Sequence, residues 1–129
     1  MATRAKVFEY AVEVDRGGRM TIPGGAQIAP AEGWTPDHLL LAALVRCSIE
    51  SLTFHARRAG HEVAASGNGH GTVTRREDGR FAFVEIGVRI HAQLQPRAGD
   101  TSELVAKAER DCFVGASLTV EPEYEWHVS

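Results

Sequence analysis

Cysteine is scarce in this chain, with two in 129 residues, at positions 47 and 112. That is too few for a small secreted domain stapled by disulfides, and in a reducing compartment such a pair is more often catalytic or redox-active than architectural. Charge of one sign is also scarce. Fourteen Lys and Arg stand against seventeen Asp and Glu, for a net charge of −3. The basic residues include two separate doublets, Arg57-Arg58 and Arg75-Arg76, and form no stripe able to follow a phosphate backbone. Nucleic acid is therefore not an expected partner. Long apolar runs are missing too: the longest, Leu39 to Val45, has seven residues, against about 20 for a membrane span. With no charged-then-apolar leader, the expectation is a cytoplasmic protein without a membrane partner. No repeat, low-complexity block or linker interrupts the pattern, and a chain of this length suits one core, so a single domain over 1–129 is expected.

What is present reads as an α+β unit. Between Lys6 and Asp15 the residues Val7, Glu9, Ala11 and Glu13 alternate with Phe8, Tyr10, Val12 and Val14, the two-residue period of a strand. A turn at Arg16-Gly17-Gly18 leads to a second strand over 19–23, and the Gly- and Pro-rich stretch 24–34 reads as loop. Glu77-Asp78-Gly79 marks a hairpin turn between two further strands. Gly67-Asn68-Gly69-His70-Gly71 is not followed by a helix start, so it reads as a bulge or bend in the first of them and not as a phosphate loop. A second helix opens at Asp100 or Thr101 with Glu103 placed for a capping box. A short helical segment after Cys112 and a strand over 121–128 complete the order ββαββααβ.

The longest element is the helix that begins at Thr35. Thr35 can cap it, Pro36 suits its first position, and Asp37 adds negative charge in its first turn. Gly60 supplies a left-handed stop after Ala59. Its first half is apolar on every side, the mark of a buried helix. So few other elements could wrap it that a second subunit is expected to help. Cys47 lies in the middle of this helix.

The motifs P-D-x-L-x-x-A-A-x-x-x-C over 36–47 and A-E-R-D-C-F-V-G-A-S-L over 108–118, with the order of elements between them, resemble those of the osmotically inducible protein C and organic hydroperoxide resistance (OsmC/Ohr) family. The resemblance implies an intertwined homodimer in which antiparallel sheets wrap long central helices. It also implies a thiol peroxidase for organic hydroperoxides, regenerated by a dithiol reductant, with Cys47 attacking the peroxide and Cys112 resolving it. No cofactor is implied.

That chemistry needs a thiolate, and an ordinary cysteine, with a pKa of about 8.5, is mostly protonated at neutral pH. Burial would raise it further. Cys47 sits about three turns into its helix, beyond reach of the positive end of the dipole. The resemblance assigns the missing positive charge to an arginine of the N-terminal hairpin, Arg19 or else Arg16, held by a carboxylate at Asp37. About 15 Å of helix axis separates Asp37 from Cys47, so unless an arginine spans part of that distance or the helix bends, such a cluster is expected to combine two chains. Three residues depart from the family pattern: Asp37 itself, Arg46 before the first cysteine, and Phe113 after the second. Arg46 points about 100° away from Cys47 around the helix and reads as a solvated or interface side chain. The six histidines lack metal-ligand spacing. Ser48 lacks the turn and base of a hydrolase nucleophile. The alternative function is an OsmC-fold binding or stress-response protein with little turnover.

Overall fold

The strand alternation between Lys6 and Asp15 forms paired strand only at its end. The computed structural model describes residues 5–129, which fall into two compact units: the segment ending at Trp34, and Thr35–Ser129. In the first, β1 (Glu13–Val14), β2 (Met20–Thr21) and β3 (Gln27–Ile28) make a small antiparallel sheet in that order. The β1–β2 turn is fixed by the Asp15 carboxylate, whose Oδ1 accepts from the N–H groups of Gly17 at 2.8 Å and Arg19 at 2.9 Å. β3 falls inside the segment expected to be loop, so the order of elements is βββαββααβ. Short pairing gave it no periodicity to read. Residues 5–12 pair with no strand among the described residues. A strand is defined by its pairing with another strand, and the expected length of the first one is unmet for that reason.

The second unit begins with α1 (Pro36–Arg58). Thr35 caps it as expected, but the capping box is closed by a histidine: the Thr35 N–H donates to His38 Nδ1 at 3.1 Å while the His38 N–H donates to Thr35 Oγ1 at 3.3 Å. After Ala59 the chain turns through Gly60 at φ 92°. The buried face of α1 is narrow, carrying Leu44, Ser48, Leu52 and Ala56 at four-residue spacing. Each fully buried leucine contributes about 1.5–3 kcal/mol by leaving water. Leu39, Leu40 and Leu41 are only half-buried, and Ala42, Ala43 and Phe54 are exposed. The expected all-round burial is thus not achieved by one chain. By length and mean hydropathy, 1.4, α1 would also pass for a membrane-crossing helix, although one face is packed within the protein.

That face lies on a sheet built from β4 (Glu62–Arg75), β5 (Phe81–Gln95) and β6 (Glu123–Val128). The β4–β5 hairpin turns where expected, with the Gly79 N–H donating to the Arg76 carbonyl at 2.9 Å. On β5 the residues Ile86, Val88, Ile90, Ala92 and Leu94 face the core while Arg89, His91 and Gln93 face out, the alternation of a half-buried strand. β6 pairs parallel to β5, with Ile90 opposite Trp126, so this sheet is mixed and not wholly antiparallel as expected. The long α2–α3 connection brings the chain back to the same end of the sheet, which a parallel partner requires. α2 (Ser102–Arg110) and α3 (Phe113–Ala116) form that connection. The expected capping box on α2 is absent. Thr101, at φ −103° and ψ 1°, makes no side-chain cap, Glu103 pairs with Lys107 at 3.0 Å, and Asp100 takes the Ser102 N–H instead.

The glycine cluster of β4 holds no bulge; the register slips only between Thr72 and Val73. The glycines let α1 approach. A Cβ on Gly67 would stand 2.7 Å from both the Arg89 carbonyl oxygen and Ile90 Cδ1, and 3.1 Å from Val45. The backbone oxygen has no room to yield, so Gly67→Ala is expected to cost about 1–3 kcal/mol in urea unfolding. Gly99→Ala, with nothing within 4 Å of the added carbon, should stay within about 0.5 kcal/mol of the parent. Equal effects would contradict the close-approach explanation.

Candidate functional site

Spacing along α1 decides what meets Cys47. Residues 47, 51 and 55 follow one another at four-residue intervals and therefore share a face. Ser51 Oγ donates to the Ala108 carbonyl at 2.8 Å, and His55 Nε2 lies 2.7 Å from Asp111 Oδ2. These two contacts fasten the end of α2 to α1. The next residue along, Cys112, is wholly buried and caps α3, while Cys47 is half-buried; both are free thiols. The structure brings these two predicted residues together: the Cys112 side chain lies close enough to Cys47 to bear on its ionisation.

Burial is the largest influence on Cys47 and pushes its pKa up; the neighbouring Cys112 thiol pushes the same way. Backbone hydrogen bonds from Val114 and, more weakly, Phe113 oppose it, since an N–H aimed at sulfur favours the thiolate. The net direction is upward. These two amides were not legible in the sequence, because they belong to a four-residue helix and carry no side-chain signal.

Around Cys112 the structure adds a polar pair, buried Ser48 and half-buried Tyr124, that is no part of the cysteine motifs. Ser48 Oγ donates to the Leu44 carbonyl at 2.8 Å and lies 3.1 Å from the Tyr124 hydroxyl and 3.7 Å from Cys112 Sγ. The Gly115 N–H reaches the same sulfur at 3.4 Å. Desolvation raises Tyr124 to about 12, with its Ser48 bond opposing. Ser48 was detectable as the one polar member of the buried 44-48-52-56 row; Tyr124 was not, because only tertiary packing unites it with Ser48. Tyr124 also stacks on Trp126, with ring centroids 5.4 Å apart, and Trp126 Nε1 donates to Glu109 at 2.8 Å.

Within the second unit, the side chains of Asp37 and Arg46 do not join the two thiols. Asp37 is exposed in the first turn of α1, on a helix that runs unbroken to Cys47. Arg46 is turned to solvent, its side chain 84% exposed, and pairs with Glu50 at 3.4 Å. Arg16 and Arg19 belong to the first unit, in the β1–β2 turn. Phe113 begins α3 and is exposed. Among the described residues no three His, Cys, Asp or Glu side chains converge as a metal-binding set.

A long helix carrying one thiol, laid on a mixed sheet and faced by a second thiol at the α2–α3 corner, defines an α+β class with a built cysteine pair. The chain belongs to the OsmC-like protein family, whose model matches residues 29–127. Among solved structures, an OsmC-like protein of unknown function from Vibrio cholerae has a TM-score of 0.75 at 15% identity, covering 93% of this chain and 99% of that one. An OsmC-like protein from Mycoplasma pneumoniae gives 0.67 at 18% identity, covering 97% and 99%. The organic hydroperoxide resistance protein OhrB of Bacillus subtilis gives 0.57 at 20% identity, covering 94% and 96%. At such identities the likeness is one of fold. Comparison with curated protein sequences finds no match.

The fastening of Cys112 has a measurable signature. Asp111 is lowered to about 2, chiefly by its hydrogen bond from Arg110 and further by His55, against some desolvation. An unfolded aspartate titrates near about 4, so the folded form binds its proton less readily. This contribution to stability is present above about pH 4 and is lost as pH falls through about 2. In urea unfolding across pH, the gap between the parent and Asp111→Asn should be largest above pH 4 and shrink between pH 4 and 2. A gap of undiminished size at pH 2 would contradict the role of the charged carboxylate.

Proposed function

We propose that the protein is a thiol-dependent peroxidase for organic hydroperoxides. The observation that carries this reading is the meeting of Cys47 and Cys112 at the α1–α3 junction, the first half-buried and the second wholly so. The organic hydroperoxide resistance proteins among the fold relatives agree with it. The Cys47 thiolate attacks the O–O bond, the alkoxide leaves and takes up a proton as the alcohol, and Cys47 becomes a sulfenic acid. Cys112 then attacks that sulfur, water leaves, and an intramolecular disulfide remains. A dithiol reductant returns two electrons and two protons. A resolving thiol held this close protects the sulfenic acid from irreversible oxidation.

The reading includes a homodimer. Val7 and Tyr10, 80% and 82% exposed, with Val12, Val14 and the bare side of α1, leave apolar surfaces that a second copy would cover. In that assembly Arg19, or Arg16, supplies the cation that Cys47 lacks within the second unit, with Asp37 as its carboxylate. Desolvation that holds Cys47 up while Arg46 points away favours the other reading, a binding or stress-response protein with little turnover. The two readings differ in whether a guanidinium arrives.

Peroxide consumption separates them. With cumene hydroperoxide and a dithiol, the parent should turn over, and Cys47→Ser should lose consumption entirely. Cys112→Ser should instead gain two oxygen atoms on Cys47 by intact mass. A parent that binds hydroperoxide while both thiols stay free would establish the binding-protein reading.

The activating cation has its own test. Arg19→Ala should move the pH midpoint of Cys47 alkylation upward, since a cation favours the thiolate. It should also slow peroxide consumption at pH 7 by tenfold or more, the loss of thiolate that follows from removing about 1.4 kcal/mol of favourable charge interaction. An unmoved midpoint in both Arg19→Ala and Arg16→Ala would remove the N-terminal hairpin from the mechanism.

A further inference from the structure

A serine hydroxyl carries one proton and two acceptor positions. Ser48 gives its proton to the Leu44 carbonyl at 2.8 Å. Toward Tyr124, at 3.1 Å, it can therefore only accept, and the phenol donates. Toward Cys112, at 3.7 Å, it again can only accept, so the S–H of the buried thiol points at Ser48. The Gly115 N–H fills an acceptor position on the same sulfur. Tyr124, raised to about 12 chiefly by burial, keeps its proton through neutral and mildly alkaline pH and remains a donor.

Forming a disulfide removes the S–H of Cys112 and with it one of the two donors to Ser48. We infer that Ser48 and Tyr124 are positioning residues that set the balance between the dithiol and disulfide forms of Cys47 and Cys112, and that they act in opposite directions. This rests on the disulfide chemistry proposed above. Ser48 stabilises the dithiol, because only the reduced Cys112 has a proton to donate to it. Tyr124 stabilises the disulfide, because its O–H continues to fill Ser48 once the thiol proton is gone. In the reduced form that second donor is redundant.

The test equilibrates the reduced protein with mixtures of dithiothreitol and its cyclic disulfide. Two S–H bonds are lost and one S–S bond forms in the protein, while two electrons and two protons pass to the cyclic disulfide. Alkylation and intact mass give the ratio of forms. Ser48→Ala removes the Cys112 acceptor in the dithiol alone, the Tyr124 O–H losing its partner in both forms, so the balance should shift toward disulfide. Tyr124→Phe should shift it toward dithiol. Each shift should lie between about twofold and tenfold, the range of one hydrogen bond, and tenfold corresponds to about 30 mV for this two-electron couple. A role in packing alone would lower stability without producing opposite signs. Shifts of the same sign, or none in either variant, overturn the inference while leaving the peroxidase reading intact. Failure of the parent to form any intramolecular disulfide overturns both. Should Ser48→Ala not fold, the sign for Tyr124→Phe decides: an unchanged or disulfide-favouring balance refutes the inference.

Discussion

The two thiols meet because the α2–α3 corner is fastened to one face of α1. Cys47, Ser51 and His55 occupy successive turns of that face, and the last two hold the Ala108 carbonyl and the Asp111 carboxylate. Neither bond involves sulfur. Together they fix where the chain leaves α2, so the residue after Asp111 points inward and is wholly buried. The close contact of α1 with β4 at Gly67 and Gly69, where Val45 occupies the space of the missing side chains, sets the helix against the sheet. β6 then brings Tyr124 to the same place from the parallel edge of the sheet.

Burial gives this arrangement opposing consequences. A half-buried Cys47 is shielded from solvent, but desolvation favours its protonated form. The amides of Phe113 and Val114 are turned the other way and only partly offset that effect. An uncharged donor pair at the end of a one-turn helix is weaker than a full positive charge at similar range. The proposed chemistry therefore couples turnover to assembly: the N-terminal segment with exposed Val7 and Tyr10, which a second copy would cover, also carries the arginines. One surface would serve stability and activation together.

Much of the second unit was legible in the sequence because its signals are local. Thr35 and Pro36 marked the start of α1, Gly60 its end, and Gly79 the hairpin. The cysteine motifs located both thiols. What escaped depends on partners distant in sequence. β3 is two residues long, residues 5–12 pair with no strand among the described residues, and the parallel pairing of β6 is set by how the α2–α3 connection packs. His38 closes a capping box usually completed by Glu or Gln, so its role was hidden by its residue type. Ser48 has no feature of a nucleophile, and its meaning lies in the carbonyl one turn earlier and in a tyrosine 76 residues away. Glycines in β4 suggested irregularity because sequence shows a missing side chain without showing the helix that takes its space.

Cys47 and Cys112 of one chain are proposed as chemical partners and not as two separately buried sulfurs. Peptide mapping by mass spectrometry after one equivalent of an organic hydroperoxide tests it most directly. A single crosslinked species joining the Cys47 and Cys112 peptides, in chains that remain monomeric on denaturing gels without reductant, is the predicted result. Crosslinks between chains through either cysteine alone, or sulfinic acid on Cys47 with Cys112 still free, would contradict it.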